Sequence, residues 1–132
     1  MIVLPVTLCA AAAAAVINIW LSVRVGQMRS AHKISIGDDG PGGPLTARMR
    51  AQLNFVENTA FVLILIAAIE LAGAGGRWLP IVSGLYLLGR VAHGLGMDGG
   101  ALGKGRMAGT ALTMLVQLGL AVVAVLVATG WM

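Results

Sequence analysis

The chain has 132 residues, of which 58% are hydrophobic and only 11% charged, and its mean hydropathy is +0.92. A soluble domain of this size cannot cover so much apolar surface, so the composition excludes one and indicates an integral membrane protein of one domain. The net charge of +4 and the pI near 10.3 do not indicate a nucleic-acid partner: no basic patch with interleaved aromatics exists, and the cations sit in short loops where anionic lipid headgroups are the expected partner.

A membrane span needs roughly 20 mostly apolar residues. Four candidates follow one another: Ile2–Val23, Leu53–Leu71, Trp78–Leu95 and Met107–Val127. In lipid every backbone polar group must be satisfied within the segment, so each is expected to be a helix. The first carries an alanine run, Ala10–Ala15, that would permit a close helix contact. It lacks a basic leading segment and is read as a retained helix rather than a signal peptide. Cys9 stands alone, which rules out an intrachain disulfide, and is read as a small packing residue. The link from Arg24 to Gln52 is the long one, and its Gly-Asp-Asp-Gly-Pro-Gly-Gly-Pro stretch at 37–44 is a breaker-rich loop without the phosphate-loop pattern. Short links join the remaining spans, so neighbours run antiparallel. The fold class expected is an all-α, four-transmembrane-helix bundle.

Loop cations set the orientation. Arg24, Arg29, Lys33, Arg48 and Arg50 lie in the first loop, Lys104 and Arg106 in the third, and Arg77 alone in the second. The first and third loops are therefore expected in the cytoplasm and both termini outside. Trp78 and Trp131 then fall at the outer interface and Trp20 near the inner one.

That topology brings Arg50, Asn54, Glu57, Arg90, His93 and Arg106 to one depth, near the cytoplasmic face. Ionisable groups in or at the edge of a bilayer face a protein interior or a wet cavity and are functional candidates by default. At about 100° per residue, Arg50, Asn54 and Glu57 fall on one helix face, and Phe61 and Ile64 continue the stripe deeper. Arg90 and His93, three apart, share a face of the third helix. The arrangement could hold a polar anion beside a lipid-soluble substrate. It could equally be structural, with Glu57 paired to Arg90 and with Asn54 and His93 completing a packing network. Arg50 and Arg106 could also be interface anchors. Asn18 and Gln117 read as interhelical contacts, Glu70 as solvated or capped by a neighbour, and Tyr86 as packing. Gly105 and Gly109 form a weak Gly-x-x-x-Gly. A small proton-coupled exporter wants a carboxylate deep in its first span, and that span has none. No metal site is expected.

Arg50-Ala51-Gln52-Leu53-Asn54-Phe55-Val56-Glu57 resembles the helix-two signature Arg-Ala-x-x-Asn-x-x-Glu of the MAPEG family, the membrane-associated proteins of eicosanoid and glutathione metabolism. Gly89-Arg90-Val91-Ala92-His93 resembles the family's helix-three Gly-Arg-x-x-His, and Arg106 resembles the Arg that opens helix four. The resemblance covers most of the chain. It implies a homotrimer of four-helix bundles, of a bacterial type in the inner membrane. It implies glutathione as co-substrate between adjacent subunits near the cytoplasmic face, with Arg50, Asn54, Glu57, Arg90 and His93 binding it. Arg106 would be the catalytic cation at the sulfur, in a transferase or peroxidase acting on a lipophilic electrophile. A non-catalytic trimer with a structural or anion-binding cluster is the alternative. The chain departs from the family pattern at Asn58, where family enzymes commonly carry Tyr, and at Leu53, a basic position in helix two. Met97 and Thr110 or Thr113 stand where further family tyrosines lie; Tyr86 is the only Tyr here.

Overall fold

The computed structural model describes residues 2–132, and among these the secondary structure is entirely helical. Helix α1 spans Pro5–His32, α2 Pro44–Leu71, α3 Trp78–Gly96 and α4 Gly103–Ala128, with a single 3-10 turn at Gly100–Leu102 before α4. Three helical stretches, Pro5–His32, Pro44–Leu71 and Gly100–Ala128, are long and apolar enough to cross a membrane. The 19-residue α3 carries Arg90 and His93 in its last turns and is not among them. At 1.5 Å per residue its length of about 28 Å still approaches the thickness of a hydrocarbon core.

The first two helices run well past their apolar segments. The link expected between Arg24 and Gln52 shrinks to residues 33–43. Hydropathy marks where lipid ends, whereas a helix ends where its backbone is broken. Nothing breaks α1 before Lys33, which adopts the left-handed conformation (φ 54°) while Ile34 N donates back to Arg29 O. Gly37, Gly40 and Gly42 then take positive φ, and Pro44 opens α2 at a position where the missing N–H costs nothing.

Both proline-led helices are capped by a carboxylate from elsewhere in the chain. Asp39 accepts from Leu45 N, Thr46 N and Thr46 Oγ1, each at 2.8 Å. Glu70, at the end of α2, accepts from Val6 N and Thr7 N at 2.8 Å and from Thr7 Oγ1 at 2.7 Å. Each satisfies orphan donors in a first helical turn and meets the positive end of the helix dipole. The Glu70 contact also places the start of α1 beside the end of α2, which fixes those helices antiparallel.

The core has two parts. Ala10, Val62, Ile66, Ile69, Leu79, Tyr86, Val116 and Leu120 pack toward the Glu70 end, and Ala14, Leu21, Ala51 and Phe55 toward the other. Helices α3 and α4 approach closely because glycine lines their contact. A Cβ on Gly109 would stand 2.5 Å from Gly89 O, and one on Gly105 would stand 2.6 Å from Ala92 O. The Gly-x-x-x-Gly pair, a weak signal in sequence, is therefore the seam of that helix pair. Outside the core, large apolar side chains such as Phe61, Ile64, Leu88, Leu115 and Leu118 are exposed, as a lipid-facing surface requires. Cys9, read as packing, is instead exposed beside an apolar groove of about 430 Å³ between α1 and α3, lined also by Pro5, Ala13, Pro80 and Gly84.

Candidate functional site

The end of the bundle opposite Glu70 holds the charged residues. Arg90 projects from α3 into the interior and is 1% exposed. Its Nη2 donates to Asn54 Oδ1 on α2 at 2.7 Å and approaches His93 Nδ1 at 3.4 Å, while Nη1 donates to Thr113 Oγ1 on α4 at 3.0 Å. Thr113 Oγ1 in turn donates a hydrogen bond to Gly109 O at 2.8 Å. The Phe55 ring lies under the guanidinium, 6.0 Å from Cζ to centroid. Arg90 Nε is enclosed without a partner. A guanidinium only donates, so His93 Nδ1 must accept, which leaves the ring proton on Nε2. One arginine thus ties three helices together through neutral partners.

Of the six residues expected to gather here, Asn54, Arg90 and His93 do so within the chain. Arg50, Glu57 and Arg106 do not join them. All three are exposed, and among the described residues none has a side-chain hydrogen bond or ion pair. The pairing of Glu57 with Arg90 is not formed: Glu57 is exposed, and Asn54 accepts from Arg90 instead. Arg106 lines a shallow cleft of about 530 Å³ with Gly103, Met107, Thr110 and Ala111.

The five acidic residues separate structure from candidate function. Asp38 accepts from Gly40 N at 3.0 Å, and Asp39 and Glu70 cap helices. Asp98 pairs with Arg24 and, at 3.0 Å, with Arg48. Glu57 alone has no use within the chain among the described residues. A carboxylate on an apolar helix face with no internal partner is a functional candidate.

Sequence reasoning missed the clasp around Asp98. Arg24 belongs to α1, not to a loop; it is buried, donates to Gly94 O at 2.8 Å, and lies 4.8 Å over the Trp20 ring. Arg48 also donates to Arg24 O at 3.1 Å. Desolvation alone would raise the Asp98 pKa, but hydrogen bonds from Arg48 and the charges of Arg24 and Arg48 outweigh it and hold the carboxyl below its ordinary range. The available signal was that Asp98 is the sole acid opening a loop otherwise populated by cations.

No group of three or more His, Cys, Asp or Glu side chains suited to a metal occurs among the described residues. No curated protein matches the chain significantly. The model of the MAPEG family matches residues 7–126, a stretch that contains the whole Arg50–Glu57 segment, the Gly89–His93 segment and Arg106. The chain therefore belongs to the MAPEG family, membrane proteins of glutathione and eicosanoid metabolism.

Proposed function

We propose that the protein is a glutathione-dependent enzyme of the inner membrane, acting as a homotrimer on lipophilic electrophiles or hydroperoxides. All four helices span the bilayer, the basic end faces the cytoplasm and both termini are periplasmic. The observation that carries this reading is the exposure of Arg50, Glu57 and Arg106 at the basic end, without partners in their own chain. Glutathione offers two carboxylates, one ammonium and a thiol. Two free guanidiniums and one free carboxylate complement that set.

In this reading Glu57 receives the ammonium, Arg50 and the Asn54 amide receive carboxylates, and Arg106 lies near the sulfur. A free thiol of pKa about 8.5 is mostly protonated at neutral pH, and an adjacent cation favours its reactive thiolate. Arg106 supplies that cation in place of a tyrosine hydroxyl, since Asn58, Met97 and either Thr110 or Thr113 stand where the family pattern has tyrosines. A second copy of the chain covers the exposed charges and completes the site. Apolar Phe61 and Ile64, exposed on the same α2 stripe, give a lipophilic substrate a path from the bilayer.

A ligand that binds only the folded state raises its stability with concentration. Thermal unfolding of the detergent-solubilised protein should show saturable stabilisation by glutathione, weakened in Arg50→Ala by about 1–3 kcal/mol, as for a hydrogen bond to a charged group. No shift at millimolar glutathione would end this reading. A second reading, a non-catalytic trimer, draws on the internal pairing of Arg90 with Asn54, His93 and Thr113. It requires Glu57→Gln to weaken the trimer whether or not glutathione is present.

A further inference from the structure

Arg90 is enclosed, and all of its hydrogen-bonding partners are neutral. A residue that holds a soluble tripeptide needs an open face, and Arg90 has none. What it does have is control over Asn54. A guanidinium has five donors and no acceptor, so the Asn54 amide must turn Oδ1 toward it. The Asn54 Nδ2 group is thereby directed away from Arg90. Among the described residues Nδ2 has no acceptor, and it is not among the enclosed polar atoms. Asn54 itself is half-buried on the α2 stripe between exposed Arg50 and Glu57.

We infer that Arg90 is a positioning residue rather than a ligand contact. Its Nη2 fixes the Asn54 amide so that Nδ2 is presented to the surface as a preset donor for a carboxylate. Thr113 holds the other arm of the fork and keeps the guanidinium from swinging outward. The charge of Arg90, with no carboxylate in ion-pair contact, favours an anion at that donor. Lysine, a point charge without the fork, cannot do both jobs. This inference rests on the glutathione reading above and assigns the residues different roles within it.

The test is a double-mutant cycle on glutathione affinity, measured calorimetrically on the intact protein in detergent, with wild type, Arg90→Lys, Asn54→Ala and the double variant. Wild type is the control. If it shows no saturable binding, the glutathione reading fails and this inference falls with it. Given wild-type binding, Arg90→Lys should weaken affinity about tenfold, the scale of one hydrogen bond to a charged group. In the Asn54→Ala background the same change should cost nothing further. A tenfold loss that persists there would make Arg90 a direct contact and overturn the inference, as would wild-type affinity in Arg90→Lys. Should the lysine variant fail to fold, Asn54→Asp serves instead. It keeps an oxygen for Arg90, so the ligand-free unfolding temperature should match or exceed wild type. It replaces the outward donor with an acceptor, so glutathione binding should be lost. Unchanged binding in Asn54→Asp would refute the assignment.

Discussion

Arg90 Nη2 donates to Asn54 Oδ1 at 2.7 Å across the interface of α3 and α2, and this bond, rather than one to Glu57, determines which residues remain free for a ligand. By taking the asparagine, Arg90 leaves the only uncommitted carboxylate of the described chain on the surface. The Arg50–Glu57 segment thus divides its labour along one helix face, with the central residue turned inward and the flanking charges outward.

The other arm of Arg90 gives a stability prediction. Thr113→Val keeps the shape of the side chain but removes the acceptor for Nη1. A buried donor left unsatisfied costs about 1–3 kcal/mol. Thermal unfolding in detergent without ligand should register that loss, and an unchanged midpoint would show that Arg90 finds another partner.

The α3–α4 seam should be intolerant of a single methyl group. Gly109→Ala would drive Cβ to 2.5 Å from Gly89 O and 2.6 Å from His93 Cβ. Overpacking of this kind costs about 1–3 kcal/mol. Gly119, on the same helix with nothing within 4 Å of its would-be Cβ, is the internal control. Gly119→Ala should be neutral or stabilising, and equal losses at the two positions would contradict the seam.

Asp98→Asn removes the counter-charge from Arg24 and Arg48. Because Asp98 is partly exposed, the loss is expected to be on the order of 1 kcal/mol after solvent screening. Its folded pKa is lowered, so its contribution is complete above the ordinary carboxylate range. It is lost as pH falls through the lowered value. A pH series of unfolding midpoints on wild type and Asp98→Asn should therefore converge in acid.

Asp39 gives a sharper window. Some desolvation raises its pKa, but hydrogen bonds from Leu45 N, Thr46 N and Thr46 Oγ1 bring it down to about 2. The cap on α2 should hold above the ordinary value near 3.8 and be released as pH falls toward about 2. Hydrogen exchange at the Leu45 and Thr46 amides reads this locally. Gly43→Ala should mimic the acid state at neutral pH, since its Cβ would lie 2.1 Å from Asp39 Oδ1.

How much of this was legible in the sequence differs from residue to residue. The meeting of Asn54, Arg90 and His93 could be foreseen, because helical spacing and antiparallel order fix their depth. Which of Asn54 and Glu57 faces Arg90 could not: the two are about 60° apart on the α2 wheel, and only packing against Ala51 and Phe55, both buried, decides the rotation. The Asp98 clasp joins residues 74 positions apart in the chain through Arg24, and Arg24 lies just past the apolar run that ends at Val23. The position of Glu70 near the end of α2 follows from the sequence, whereas its capping role depends on the neighbouring start of α1. Length and hydropathy reveal spans, whereas the extent of α1 and α2 beyond them is set by where Lys33, Gly42 and Pro44 break or begin a helix.

The most direct test of the proposed function is a calorimetric titration of glutathione into the detergent-solubilised protein, wild type against Glu57→Gln. Glu57 is exposed and its side chain makes no hydrogen bond or ion pair among the described residues, so the substitution should leave folding within about 0.5 kcal/mol of wild type. The account predicts saturable binding to wild type and its loss in Glu57→Gln at unchanged stability. Equal binding by the two proteins, or none by wild type, would contradict it.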